Sequence, residues 1–529
     1  MGWSVRDDQC RRREKKGSQA EDHVPSYNRR MIKRENTNAI MNSQKIIGVL
    51  TDTEVLLVDV VQGKRVLRSI LLPPDVSELS GLLEHLWQAA LTEVWILPAT
   101  TLARTATCAW FEQVNSHWIA VVHPDPREPT RPICALLWPK GSGQREERRL
   151  AFVFPEQAGW GWTLPDARSL LATVTYLDQT LAWPVIDSPN LVAHRLLTDL
   201  TLDQPASWLQ SSPLDLHTLS RSDGTPIPLM ESARDLVWMR PLTRVEQQQR
   251  YLHKYTHLSR YLEACMDVQL GIGVPQYSSH GRACDDIHPG IWRVSAERAG
   301  SLFDGKRLPS CLDGEWMSTP QVRCCQNIGY QVHVREGSYW QESHESLKRW
   351  ATTLWQAGER LYTHPQSFRH GQGRANASHS IKLLAELGVT ILAQEKTSGG
   401  WFRPDWWTQI IGRCQAILFD HVAALARKGT MPVLVDRDSL WVVSNDPNPL
   451  TAVPGLVTAR KWKGYTVGYE VPLLLSGEVR EAFRTVRQAD QMVMALDTLG
   501  TERYDKRLCL LLQFVAKLLI LPNIGVEQC

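Results

Sequence analysis

Val433-Leu434-Val435-Asp436-Arg437-Asp438-Ser439-Leu440-Trp441-Val442-Val443 is the stretch from which the rest of the chain is read. Two carboxylates at i and i+2 stand between apolar flanks rich in β-branched residues, which predicts two buried strands meeting at a polar turn. On an extended chain positions i and i+2 face the same side, and at a hairpin tip they converge. Either arrangement suits a hard divalent cation, Mg2+ or Mn2+, held through oxygen ligands. A solvated turn joining two strands is the other reading, and Asp-x-Asp alone does not separate them.

Upstream of the pair lies a long helical pattern over residues 405–427, opened by Arg403-Pro404-Asp405 and carrying Arg413. Before it, Ala375-Asn376-Ala377-Ser378-His379-Ser380-Ile381-Lys382-Leu383-Leu384 places Lys382 on a helix expected to end near Gly388. A helix over residues 346–362 would pair with it as an antiparallel hairpin. Further back, His253-Lys254-Tyr255-Thr256-His257-Leu258-Ser259-Arg260-Tyr261-Leu262 falls in a helical pattern over 246–270 and leads into Gly271-Ile272-Gly273. Residues 330–334 and 465–471 read as strands, and amphipathic helical sequence follows from Glu478.

The folded chain is expected to begin at Lys45. Three short strands linked by turns are followed by a helix with Leu79, Leu82, Leu83, Leu86 and Ala90 on one face, then by a buried strand over 93–97. That is the opening order of a ribonuclease-H-like domain. Residues 125–149, with several prolines and a Gly-Ser-Gly, read as a loop or insertion; 166–182 reads as a helix; turn residues dominate 203–228, where a domain boundary is placed. Asp52-Thr53-Glu54 has the spacing of a metal exonuclease, but the strand over 93–97 ends in Pro98-Ala99-Thr100 without a further carboxylate, so a plain turn is the better reading. Gly300-Ser301-Leu302-Phe303-Asp304-Gly305-Lys306 imitates a phosphate-binding loop, yet Arg307 stands where a hydroxyl is needed and Pro309 breaks the helix that should follow.

The order of these parts resembles family-B DNA polymerases. That family has a palm with an Asp-x-x-Ser-x-Tyr motif, a two-helix fingers hairpin with a basic residue, and an Asp-Thr-Asp-Ser hairpin after a long helix. Here Ser259 and Tyr261 match the first motif, Lys382 the fingers lysine that neutralises a triphosphate, and Asp436, Asp438 and Ser439 the metal hairpin. The resemblance spans roughly residues 240 to 475. It implies an α/β (α+β) fold: a basic tail over 1–44, a ribonuclease-H-like domain over 45–225 that has lost exonuclease activity, palm and fingers over 226–475, and a short thumb-like helical segment over 476–529. It implies Asp436 and Asp438 on metal, Lys382 on phosphate, and Ser259, Tyr261, Arg403 and Arg413 toward nucleotide or DNA. Primer-template DNA and deoxynucleotides are the implied partners, in replication or maintenance of a phage or mobile element. One position departs from the family: its first metal carboxylate aligns with Thr256, a neutral residue, and Asp267, about three helical turns on, is the conceivable substitute.

The expected function is therefore DNA binding with impaired catalysis. An active Mg2+-dependent DNA-directed polymerase is the first alternative. A glycosyltransferase that uses Asp-x-Asp to hold a metal and a nucleotide-sugar diphosphate is the second, although the long helices over 346–427 do not fit the alternating strands and helices it would need. With 43% hydrophobic and 22% charged residues the chain has an ordinary globular composition. Its longest apolar run, near the end, holds Gln513 and Lys517, which predicts no membrane span, and the polar start predicts a cytoplasmic protein. Residues 1–44 hold 10 Lys/Arg and 6 Asp/Glu, net +4, and the remainder holds 49 and 50, net −1, so the basic excess lies in the tail. Affinity of the body for nucleic acid must come from a local basic patch. Eleven cysteines without regular spacing predict reduced thiols, and most of the 21 tryptophans are expected in the core.

Overall fold

The computed structural model describes residues 46–61, 64–72, 79–112, 118–125, 127–140, 149–164, 166–181, 188–201, 237–279, 288–298, 316–363, 371–394, 400–457, 465–467, 472–485 and 492. The basic tail, the boundary over 203–228, the loop at 300–306 and the end of the chain past 485, Met492 apart, lie outside them.

Short apolar runs build the first sheet. β1 (Ile47–Leu50) is buried along its whole length, and β2 (Glu54–Val61) and β3 (Lys64–Leu71) continue from it as an antiparallel meander. Helix α1 (Leu79–Gln88) follows, and β4 (Glu93–Ile96) returns parallel to β1. This is the order expected from the sequence. β5 (Trp118–Pro124), β6 (Pro132–Pro139) and β7 (Leu150–Val153) complete a seven-stranded sheet in the order β3-β2-β1-β4-β7-β6-β5. The expected loop over 125–149 is corrected here, because a whole strand runs through it. Pro132 and Pro139 stand at the two ends of that strand, and the apolar run between them is buried on the sheet. Asp52 accepts the Thr101 amide at 2.7 Å, so it ties the β1–β2 turn to the start of the short helix Thr101–Thr105.

Leu82, Leu83 and Leu86 of α1 cover one face of this sheet with Phe111. The other face packs against α2 (Ala167–Leu181), and α3 (Pro189–Thr201), which the sequence reading passed over, joins the same core.

The second half begins with β8 (Val237–Met239) and β9 (Tyr251–His257), then α4 (Arg260–Asp267). The helix expected over 246–270 is thus a strand, a bend and a short helix. β9 lies between two partner strands and has buried residues on both faces, and cross-strand pairing of its aromatic and histidine side chains outweighs local helical pattern. A side layer follows: β10 (Leu270–Ile272), β11 (Gln276–Ser278), β12 (Gly290–Arg298), β13 (Trp316–Ser318), α5 (Thr319–Asn327), β14 (Tyr330–Tyr339) and β15 (Glu342–His344). Of these strands only the start of β14 is legible as a strand in sequence. A capping box between Ser318 and Gln321 starts α5.

Three long helices come next: α6 (Lys348–Thr363), α7 (Gly371–Ile391) and α8 (Pro404–Arg427). α7 does not stop near Gly388. A Cβ at that position would lie 2.4 Å from the Trp350 ring, so the glycine is where α6 and α7 pack most closely. β16 (Leu434–Asp436) and β17 (Ser439–Ser444) form the expected hairpin. With β18 (Tyr465–Val467) they give a sheet ordered β18-β9-β17-β16-β8, and the short β19 (Leu473–Leu474) pairs with β9. Val435, Leu440 and Tyr255 face a core shared with α5 and α8, whereas Leu434, Trp441 and Leu252 face α9 (Gly477–Thr485). The fold is mixed α and β. Among the described residues no helix is long and apolar enough to cross a membrane.

Candidate functional site

The hairpin tip is the centre of the site. Asp436 and Ser439 are the last register pair of β16 and β17, which leaves Arg437 and Asp438 as a two-residue loop. Such loops need positive φ, and Arg437 supplies it at +48° although it carries a Cβ. Two outside contacts hold the strained turn. Arg260 Nη1 donates to the Arg437 carbonyl, and the His257 amide donates to the Asp438 carbonyl at 2.7 Å.

On the neighbouring strand, Thr256 is the register partner of Ser439. Their hydroxyls lie 3.1 Å apart, and Ser439 Oγ donates to Asp438 Oδ1 at 3.1 Å. Lys382, presented by α7, places its Nζ 3.7 Å from Asp438 Oδ2. Both side chains are about one-third exposed, and a screened pair of this kind contributes only about 0–1 kcal/mol. The ammonium is therefore available to compete for another anion. Tyr261 lies beside it, its ring 4.6 Å beneath the Arg260 guanidinium and its hydroxyl accepting from Arg260 Nη2 at 2.9 Å. Asp438, Lys382, Arg260 and Tyr261, together with His257, Ser259 and His379, line a cavity of about 170 Å³.

Around His257 the site is buried. Burial, with help from His421 and Arg260, lowers the His257 pKa to about 3, so the ring is neutral. It stacks on His421 at 5.7 Å and meets the Tyr465 ring edge-on at 5.0 Å. Burial raises the Tyr465 hydroxyl well above its usual range, and the nearby Asp438 and Glu263 charges add to it. His379 is also held neutral, first by burial and then by the Lys382 charge.

Two-metal phosphoryl transfer needs anionic ligands converging on two ions about 3.5–4 Å apart. Asp438 offers one carboxylate at the surface. Asp436 is 9% exposed at the end of β16, and Thr256 is neutral and bonded to Ser439. Among the described residues no group of three or more His, Cys, Asp or Glu side chains could hold a metal. The residues present do not fit a two-ion centre.

Of the other residues singled out in the sequence, Ser259 lines this same cavity, whereas Arg403 and Arg413 lie elsewhere. Ser259 is buried at the start of α4, its amide donating to His257 Nδ1 at 3.3 Å. Arg403 is fully buried: its Nε donates to Asp405 Oδ1 at 2.9 Å, its Nη2 to the Gly271 carbonyl at 2.8 Å, and its guanidinium lies 4.2 Å over the Trp406 ring. It holds the entry to α8 and has no surface to offer DNA. Arg413 donates to Asp267 at 3.1 and 2.6 Å, and that carboxylate keeps the guanidinium charged against burial. The pair lines a separate cavity with Asp420, so Asp267 is engaged there and does not stand in for Thr256.

No family model matches the chain, and no curated protein does. Among solved structures, phi29 DNA polymerase complexed with primer-template DNA and incoming nucleotide is similar over 80% of this chain and 84% of its own, with 9% identity and a TM-score of 0.41. Its orthorhombic crystal form gives 81%, 86%, 9% and 0.38 in the same order. The family B DNA polymerase of the hyperthermophilic archaeon Pyrobaculum calidifontis is similar over 90% of this chain and 65% of its own, with 10% identity and a TM-score of 0.35. Residue roles rest on the geometry above.

Three features of the site escape a reading of the sequence motifs. Arg260 holds the hairpin, and only its place between Ser259 and Tyr261 hinted at it. His379 precedes Lys382 by three residues, a spacing that puts the two on neighbouring positions of a helix. From sequence His257 reads, with His253 and His379, as a scattered polar-face residue, yet the structure buries it in a stack with His421 and Tyr465 that joins three separate segments.

Proposed function

We propose that this chain is a DNA-binding protein of polymerase-like architecture whose nucleotidyl-transfer centre has lost a metal carboxylate. The observation that carries the reading is the pairing of Thr256 with Ser439 beside Asp438, with Lys382 reaching the same carboxylate from α7. A palm-like sheet presents one acidic residue at its edge, and a fingers-like helix presents one cation above it. Lys382 and Tyr261 then contact the phosphate and sugar of primer-template DNA or of a deoxynucleotide. A threonine hydroxyl supplies no negative charge for a Mg2+ ion, and removing one element of transition-state electrostatics reduces a rate by roughly 10²–10³ or more.

Fluorescence anisotropy with a labelled primer-template and a primer-extension assay on the same protein test this. Binding without measurable extension is expected, and Lys382→Ala should weaken binding. Thr256→Asp should raise Mg2+ affinity, read by isothermal titration, because it sets a second carboxylate beside Asp438. Brisk extension by the wild-type protein would overturn the reading, as would failure to bind any single-stranded or duplex DNA.

A further inference from the structure

The cavity that holds Lys382 is braced from the first half of the chain. After the short helix Pro155–Ala158 the backbone turns at Gly159 and Gly161, whose φ values of +81° and +65° favour glycine, and residues 160–163 run along α7. Trp162 Nε1 donates to Ser380 Oγ at 2.7 Å, and Ser380 Oγ donates onward to the Asn376 carbonyl at 2.9 Å. The Asn376 side chain spans one residue of the strap, accepting the Thr163 amide at 3.2 Å and donating to the Thr163 carbonyl at 2.8 Å. His379 hydrogen-bonds the Trp160 carbonyl, and a Cβ on Gly161 would sit 3.2 Å from His379 Nε2. Trp160, Asn376 and Ser380 are buried, and Trp162 packs between Trp95 and Trp160 at 5.6 and 5.2 Å.

A two-bond amide clasp fixes both the rotation and the register of the helix that carries it. Slipping α7 by one residue would turn it by about 100° and remove Asn376 from Thr163. Asn376 and Ser380 share one face, Lys382 lies on another flank, and His379 stands between them. Thr173 of α2 adds a further bond, to the Gly373 carbonyl at 3.2 Å.

We propose that the strap over residues 160–163 is a positioning element for Lys382: through Asn376, His379 and Ser380 it holds α7 so that the ammonium meets Asp438 from a helix that does not swing. That Lys382 contacts a phosphate rests on the function proposed above; that the strap holds Lys382 does not.

Amine acetylation of the full-length folded protein, read by mass spectrometry, compares Lys382 with the more exposed Lys348 on α6. Trp162→Phe keeps an aromatic ring and deletes the donor, and Gly161→Ala presses a methyl group toward His379. In each variant Lys382 should be modified roughly fivefold faster relative to Lys348, the population change equivalent to one buried hydrogen bond. An equal change at both lysines, or none at either, overturns the proposal. The same variants are titrated with labelled primer-template in wild-type and Lys382→Ala backgrounds. In the second background Trp162→Phe should add no further loss, since both changes act through one amine. An additive loss overturns the positioning role. Selective acetylation in a protein that binds no DNA would instead remove the function reading and leave the strap's role intact.

Discussion

At position 403 an arginine expected at the surface is locked inside, and its partner Asp405 is equally buried. Removing one member of such a pair leaves an uncompensated charge, so Arg403→Ala should lower unfolding free energy in urea by about 3–5 kcal/mol. Combining Arg403→Met with Asp405→Asn, which removes both charges together, should recover much of that loss. His257 sets a second expectation. Its folded pKa of about 3 lies below the unfolded value near 6.5, so folding favours the neutral ring. Its stabilisation is complete above about pH 6.5 and is lost as pH falls toward the folded value, at about 1.4 kcal/mol per pH unit. Denaturant melts of wild type and His257→Gln between pH 6.5 and 5 should differ in slope by that amount, with the variant flatter.

Among the elements, α7 is the one on which most depends. It carries Lys382 on one flank, the Asn376 clasp on another, and Gly388 where it crosses α6. Overpacking a close helix crossing costs about 1–3 kcal/mol, so Gly388→Ala should lower the thermal midpoint measurably. The added methyl group meets the Trp350 ring, which has no free space to retreat into because it is fully buried. Trp350→Leu in the same protein should restore part of the loss. The β16–β17 hairpin is set differently: its flanks are apolar and its loop residue Arg437 is strained, so bonds from Arg260 and His257 hold the geometry that the loop sequence alone would not favour.

Across the folded body, one core joins the first sheet through α2 and α3 to α4, α6, α7 and α8. Shared burial couples the opening of these elements, so native-state hydrogen exchange should give amides of α2 and α7 the same opening free energy. Different values, with α7 opening first, would mean that the helix bearing Lys382 moves apart from the first sheet. Charge acts at this scale too. Residues 45–529 hold 49 basic and 50 acidic side chains, so on the function proposed above the long-range attraction of DNA comes from the tail. Deleting residues 1–44 should lower DNA affinity and reduce its salt slope without abolishing binding, because local phosphate contacts persist. Anisotropy titrations at several salt concentrations measure both.

The sequence by itself determined the hairpin at 433–443, the opening meander of the first sheet and the long helices on either side of Lys382. The helices show the 3.6-residue apolar period, and the strands are short apolar runs bounded by turn residues, too short to be helices. It did not determine β6, β9 or α3. Prolines disguised β6 as a loop, and polar residues gave β9 a helical look until pairing with β17 and β18 outweighed it. The site divides along the same line. Its acidic pair, its lysine and Thr256 are visible as residues, because each lies in a short pattern. Their meeting is not: Thr256 reaches Ser439 across 183 residues of chain. The retreat of Arg403 to the interior and the bracing of Lys382 from residues 160–163 were also decided only by packing. Burial of apolar surface is not directional, so local sequence fixes which face is buried, and the tertiary structure alone fixes what that face is buried against.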